Sequence, residues 1–214
     1  MAVLSPLTTD PDDLEIKTKL PNALHFRRGR HYARSRSMEL ELPIPPSPTD
    51  KNKPDWTTVR KAWWSVVDLV YRSANSPMRL AMDMRITGDS EIIMAPQRGN
   101  NHGTVAIEIG SVTDTVAEAE WQTFCQDLVD ALFKLAPEGR LRPHWGKEWM
   151  KLRFGGLPAR EYIRTVAYKG EIPECLAILE KIGKRQGWTL KDLHKRFSTT
   201  LLDDIFFYDT GAHV

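Results

Sequence analysis

The sequence predicts an α+β fold, an antiparallel sheet covered by helices. Three observations lead there. Stretches that alternate apolar and polar residues with period two are interspersed with stretches of helical periodicity. None of the strand candidates is the continuous apolar run that a doubly wound parallel sheet uses. Turn-rich residues join neighbouring strand candidates, which favours antiparallel pairing in a layered fold. With 214 residues, the chain is long enough for one domain with its own core and an irregular arm, and it carries no internal repeat.

Residues 1–36 are polar, Pro-punctuated and Arg-rich and read as the arm; the folded domain is expected over 37–214. It opens with Ser37-Met38-Glu39-Leu40-Glu41-Leu42, whose alternation marks a half-buried strand that Pro43, Pro45, Pro46 and Pro48 then stop. From Trp56 the spacing of Val59, Trp63, Val66, Val67 and Val70 describes one buried helical face, closed by Ser76-Pro77. Leu80, Met82, Met84 and Ile86 alternate with Ala81, Asp83 and Arg85, so 79–86 reads as a strand with Asp83 and Arg85 on one face. Residues 91–96 and 104–110 are two more strand candidates around the turn-rich 99–103, suggesting an antiparallel meander.

A long helix is expected from Thr115 to about Leu135. Ala117, Trp121, Phe124, Leu128, Leu132 and Leu135 form its apolar stripe, and Thr115 with Glu118 gives a capping-box pattern. Pro137-Glu138-Gly139 ends it. A further helix has Pro173 at its first position, Leu176, Leu179 and Ile182 inside and Gly187 beyond its end. Thr189 and Asp192 cap a last one.

Composition excludes several classes of function. Thirty basic against 28 acidic residues leave a net charge of +2, so neither a polyanion-coating protein nor an acidic solvating one is expected. No run approaches the roughly 18 apolar residues of a membrane span, and the N-terminus lacks a secretory pattern, so the expectation is a cytoplasmic protein. Cys125 and Cys175 have no CxxC spacing and read as reduced thiols, Cys125 as a small core residue of the long helix. His25 and His31 sit among arginines, and His102, His194 and His213 form no ligand cluster, so no metal is expected. The stretch from His25 to Arg36, with five arginines and two aromatics, could contact RNA. Its acidic flanks and the lack of a second basic face weigh against nucleic-acid binding.

The densest grouping of reactive side chains is Arg142-Pro143-His144-Trp145-Gly146-Lys147, at a turn after the long helix. Pro143 and Gly146 bracket His144-Trp145 and restrict the backbone, so that Lys147 can project from a defined loop toward a cofactor or an oxyanion. A surface loop anchored by Trp145 is the plainer alternative.

That motif resembles the RPHWGK signature of the aldonolactone and alditol oxidases, a branch of the vanillyl-alcohol-oxidase-type FAD flavoproteins that includes D-arabinono-1,4-lactone oxidase. Order and spacing support the resemblance. The family has a strand with an acid-x-Arg pair before a segment ending in Ser-Pro or Ala-Pro, and this chain has Asp83-Met84-Arg85 before Met94-Ala95-Pro96. The closing stretch from Tyr168 to Phe207 is similar to the family's last helices, so the resemblance covers most of the chain beyond Ser37.

The resemblance implies the substrate-binding (cap) domain of an FAD-linked oxidase. Such an enzyme takes a hydride from a CH–OH carbon of a sugar lactone or polyol onto the flavin, with dioxygen as final acceptor and hydrogen peroxide as product. By position, Lys147 would lie near the reactive edge of the flavin with His144 and Trp145, while Arg85 and Asp83 would hold substrate oxygens. Glu108, Gly110 and His144 would face the substrate; alditol oxidases have a His and a Thr where Glu108 and Gly110 stand. The family's acid is usually Glu, and Asp83 is one methylene shorter. Residues 1–36 hold nothing from which the family's FAD-binding domain could fold. The expectation is therefore a truncated product, a half-enzyme that docks on a separate FAD-binding chain, or a cap reused as a flavin-free enzyme or partner-binding module. In the flavin-free case, Glu108 with a raised pKa would be the base. Family members can be membrane-associated or mitochondrial.

Overall fold

In a computed structural model, which describes residues 34–73 and 76–208, the alternating segment forms strand β1, Ser35–Pro43. It begins two residues before the alternation and so takes in Arg36. Met38, Leu40 and Leu42 point to one face and are fully buried. Strands β2, Met82–Thr87, and β3, Thr104–Val112, add Val105, Ile107 and Ile109 to the same face. Register puts Met38, Leu40 and Leu42 opposite Ile109, Ile107 and Val105, with Met82, Met84 and Ile86 opposite the same three residues on the other side of β3. A two-residue strand β4, Arg142–Pro143, completes an antiparallel sheet of order β2-β3-β1-β4.

Helices α1, Trp56–Arg72, and α2, Glu118–Phe133, pack on the apolar face as part of one core. Asp55 caps α1 by accepting from the Thr57 N–H at 2.9 Å. Its buried residues are Val59, Ala62 and Val66, so the buried face is turned toward Ala62 relative to the expected stripe. In α2 the stripe residues Trp121, Phe124, Leu128 and Leu132 are buried, with Cys125 and Val129. The helix starts at Glu118 rather than 115, because Glu120 reaches back to the Ala117 N–H at 3.3 Å and sets the cap there.

The remaining elements follow in chain order. A short hairpin pairs β5, Arg153–Phe154, with β6, Leu157–Pro158. Helix α3, Ala159–Tyr162, runs into a π turn, Ile163–Ala167. Then come α4, Glu171–Gln186; α5, Leu190–Phe197; and α6, Thr200–Ile205. Helix α4 begins two residues before Pro173, whose missing N–H costs nothing in a first turn. It ends at Gly187 with φ 80°, as the sequence predicts. The interior expected for α4 differs: Ile172 and Gly183 are buried, whereas Ile182 is exposed. Thr189 and Asp192 cap α5 reciprocally. Among the described residues no helix is long and apolar enough to cross a membrane, and both cysteines are free thiols.

One predicted strand is absent. Residues 91–96 are turns closed by bonds such as Ala95 N–H to Ile92 O, 3.0 Å, so the meander is not formed. The reason is a competing set of partners. Arg142, 1% exposed, donates from Nη1 to the carbonyls of Arg98 (3.0 Å), Pro96 (3.3 Å) and Ala95 (3.4 Å). Trp145 donates to Met94 O at 2.9 Å. Arg142 also donates from Nε to Ala167 O at 2.9 Å, pairs with Glu171, and lies 4.3 Å from the Tyr168 ring centroid. The carbonyls that a ladder would use are satisfied by side chains instead. Arg142→Met should remove the bonds that Arg142 makes and leave Glu171 without its buried partner, costing about 3–5 kcal/mol. Urea denaturation checks this; a loss below about 1 kcal/mol would mean that Arg142 does not hold the segment.

Candidate functional site

The opposite face of the sheet is polar, and register arranges it in rows. Asp83, Glu108 and Glu39 stand abreast across β2, β3 and β1, with Arg85, Ala106, Glu41 and Arg142 in the next row. Three acids abreast would repel one another. Cations interleave them. Arg85 pairs with Glu39, bonds Asp83 at 3.1 Å and lies 3.7 Å from Glu108. Lys147 Nζ sits 2.5 Å from Glu108 Oε1 and 4.0 Å from Glu39 Oε2.

Lys147 reaches this place because the segment after β4 is fixed at both ends. Tyr162 Oη donates to Leu141 O at 2.7 Å, and the His144 N–H bonds Glu39 O at 3.0 Å. The Lys147 N–H closes a turn on His144 O at 3.1 Å, and the Glu148 N–H returns to Ser37 O at 3.0 Å. Within the turn, His144 Nδ1 accepts from the Gly146 N–H at 3.2 Å. Lys147 thus hangs over β3 from a loop stitched twice to β1.

Beneath it lies an open depression of about 640 Å³, lined by residues that include Arg36, Leu80, Asp83, Glu108, Gly110 and Lys147. Gly110 keeps the floor low, since a Cβ there would come within 3.3 Å of Leu80 Cβ. One wall is an ion-pair network: Arg36 binds Glu148 and, at 2.7 Å, Glu118, while Trp121 Nε1 donates to Glu148 at 3.1 Å. Lys151 and Arg36 hold the Glu118 carboxyl down to about 2.

Burial alone would raise the Glu108 carboxyl, but hydrogen bonds from Lys147 and Ser37, helped by both cations, outweigh it and hold the group below its ordinary range. This corrects the expectation of Glu108 as a base with a raised pKa. The raised group is Glu41, pushed up to about 7 by burial first and by the neighbouring Glu39 second. Glu41 is 1% exposed, and its Oε2 has no hydrogen-bond partner.

Of the residues singled out from sequence, Lys147, Arg85, Asp83, Glu108 and Gly110 meet on this face. Arg85, on the same face, does not line the depression, and neither do His144 and Trp145. Trp145 packs against Trp149 and Tyr168, at 5.9 and 5.1 Å between ring centroids, and His144 caps its own turn. Sequence reasoning passed over Glu39, Glu41, Arg36 and Glu148. The alternation in 37–42 does put Glu39 and Glu41 on one face, but nothing local shows that this face is covered. Arg36, read as part of the basic arm, is buried in β1, and its guanidinium is engaged by carboxylates; residues 25–33 of that patch, with His25 and His31, lie outside the described residues, as does His213. Among the described residues no group of three or more His, Cys, Asp or Glu side chains stands in position to hold a metal. Comparison with protein-family models, with curated proteins and with solved structures finds no match for this chain.

Glu41 also couples stability to pH. A carboxyl that keeps its proton to a higher pH in the folded than in the unfolded chain contributes stability that is fully present below about 4.5 and is lost as pH rises through about 7. Over that span the loss is on the order of 3 kcal/mol, since each tenfold difference in proton affinity is worth about 1.4 kcal/mol. Glu41→Gln should flatten this part of the stability–pH curve and be more stable than the parent above pH 7. Thermal or urea melts from about pH 4 to 8 decide it, and parallel curves for the two proteins would mean that Glu41 titrates as an ordinary carboxyl.

Proposed function

We propose that this chain is the substrate-binding half of an FAD-linked oxidase acting on CH–OH groups of a sugar lactone or polyol. One observation carries the reading. Asp83, Arg85, Glu108 and Lys147, four of the seven residues to which the family resemblance assigns roles, come from three separated segments and form one ion-paired cluster, of which Asp83, Glu108 and Lys147 line one depression.

The cluster suits a neutral polyhydroxylated ligand. Two cations, Arg85 and Lys147, stand among the three carboxylates Asp83, Glu108 and Glu39, so no cation is left over for an anionic ligand, whereas a hydroxyl, at once donor and acceptor, can be inserted between them. Lys147 presents its ammonium at the rim and donates to a ligand oxygen. Arg85, anchored on Glu39, holds Asp83 and Glu108 in place beside the ligand. Glu108, held ionised, accepts from a hydroxyl. Asp83, one methylene shorter than a Glu, lines the depression and accepts from a hydroxyl at its edge.

The depression has the volume of a small-molecule site. The pyrophosphate of FAD is held by free backbone N–H groups, a helix N-terminus or a free cation, and Arg36 in the wall is already engaged by two carboxylates. The residues therefore fit the reacting edge and the substrate, and the rest of the dinucleotide belongs on an FAD-binding domain or chain. Bound flavin would supply the hydride acceptor.

Titration of the full chain with D-arabinono-1,4-lactone, followed by NMR, should shift signals of Lys147, Arg85 and Gly110. Lys147→Ala should weaken binding by about 10- to 100-fold, the worth of one charge-assisted hydrogen bond. An absorbance spectrum with added FAD should show little binding by the chain alone, and peroxide should appear only when an FAD-binding half is supplied. Lactones and polyols that leave these signals unmoved would sink the proposal.

A further inference from the structure

Glu39 and Glu41 lie two residues apart on the polar face of β1 and are 2% and 1% exposed. Their burial is unusual for acids, and the cation that could have neutralised Glu41 is committed elsewhere. Arg142 is its direct cross-strand neighbour. Its Nε goes to Ala167 O, its Nη1 to the carbonyls of residues 95, 96 and 98, and its Nη2 to Glu171. Around Glu41 this leaves Glu39 on its own strand, Arg85 on β2, the neutral Gln97 side chain from the turn segment and the Tyr168 phenol. Tyr168 Oη is itself buried without a hydrogen-bond partner, as is Glu41 Oε2. Two carboxyls so placed cannot both be ionised at low cost.

The pair is wired to the depression. Glu39 is the anchor of Arg85 and lies 4.0 Å from Lys147 Nζ, while the same two cations also bind Asp83 and Glu108 at the depression. Each cation is shared between an inner carboxyl and an outer one. We propose that Glu41, beside the ion-paired Glu39, holds a proton beneath the site, and that losing this proton draws Arg85 and Lys147 inward, away from Asp83 and Glu108.

With the proton present, the pair carries one negative charge and the outer carboxylates hold their share of both cations. Without it, a second buried charge appears next to Glu39, and the attraction on the nearest movable cations rises. Arg85, 48% exposed at the side chain, and Lys147, 25% exposed, have room to respond; Arg142 does not. The proton leaves to solvent, so the step needs no co-reactant. The device does not depend on what the depression receives, and its failure would leave the reading of the site as a lactone or polyol pocket intact.

The experiment is a pH titration by NMR of the full chain carrying 13C at glutamate Cδ and at lysine Cε, with Lys147 assigned by Lys147→Arg. In the parent protein one glutamate should titrate with a midpoint near 7, and the Lys147 Cε signal should move with the same midpoint. In Glu41→Gln both movements should vanish, a result that loss of packing alone does not give. A Lys147 signal that stays flat through that midpoint in the parent, or that still moves in Glu41→Gln, overturns the proposal. If Glu41→Gln does not fold, the volume-matched Glu41→Met replaces it, and the parent titration by itself can still overturn the idea.

Discussion

The polar side of this molecule depends on the Arg142 guanidinium. Every one of its nitrogens is engaged, and it joins β4, the turns over 95–98, the end of the π turn, Tyr168 and the start of α4. A guanidinium suits this task where a lysine would not. Its donors diverge in one plane, so they can serve carbonyls on one side and a carboxylate on the other while the flat face lies on a ring. By holding the 95–98 turns next to β1, Arg142 helps make the Glu41 end of the polar face an interior. The Glu108 end stays open. One buried cation thereby divides a single sheet face into a covered part and a depression.

The same division explains what was legible in the sequence. Periodicity is a local signal, and the elements it governs are present: β1 from Met38-Glu39-Leu40-Glu41-Leu42, β3 from Val105, Ile107 and Ile109, and α2 from its Trp121 to Leu132 stripe. Capping chemistry is local as well, hence the match at Thr189, Asp192 and Gly187. The segment 91–96 has strand-like residues, but the partner of its backbone is a set of side chains from far along the chain, which no window could contain. Glu39 and Glu41 failed to stand out for a related reason. Alternating charge on a strand ordinarily marks a solvated face, and the cover over this one comes from residues some fifty to one hundred and thirty positions away.

The site was legible where a motif fixed both chemistry and backbone. Lys147 projects because Pro143 ends a strand pairing and the chain turns tightly over 144–147, and the proline is visible in the sequence. Asp83 and Arg85 share a face because they are two apart on a strand. What could not be read was how the charges balance. Glu108 sits between two cations that hold its carboxyl below the ordinary range, whereas Glu41 is raised although it has Arg142 as a cross-strand neighbour. Whether a carboxyl here is raised or lowered is decided by how deeply it is buried and which groups reach it, Lys147 and Ser37 at Glu108 and Glu39 beside Glu41, and that is a property of the fold.

Strand β1 therefore carries the core on one face and the site's charges on the other. Since a strand's period is two, slipping its register by one residue would move Met38, Leu40 and Leu42 to the polar side and turn Glu39 and Glu41 into the core. Three large apolar residues would lose their burial, and two acids would enter a layer of helices without a cation. The register that maximises apolar burial is thus the one that sets Glu39 beside Glu108 and within reach of Arg85 and Lys147. The hydrophobic face selects the register, and the placing of Glu39 and Glu41 on the polar side follows from it.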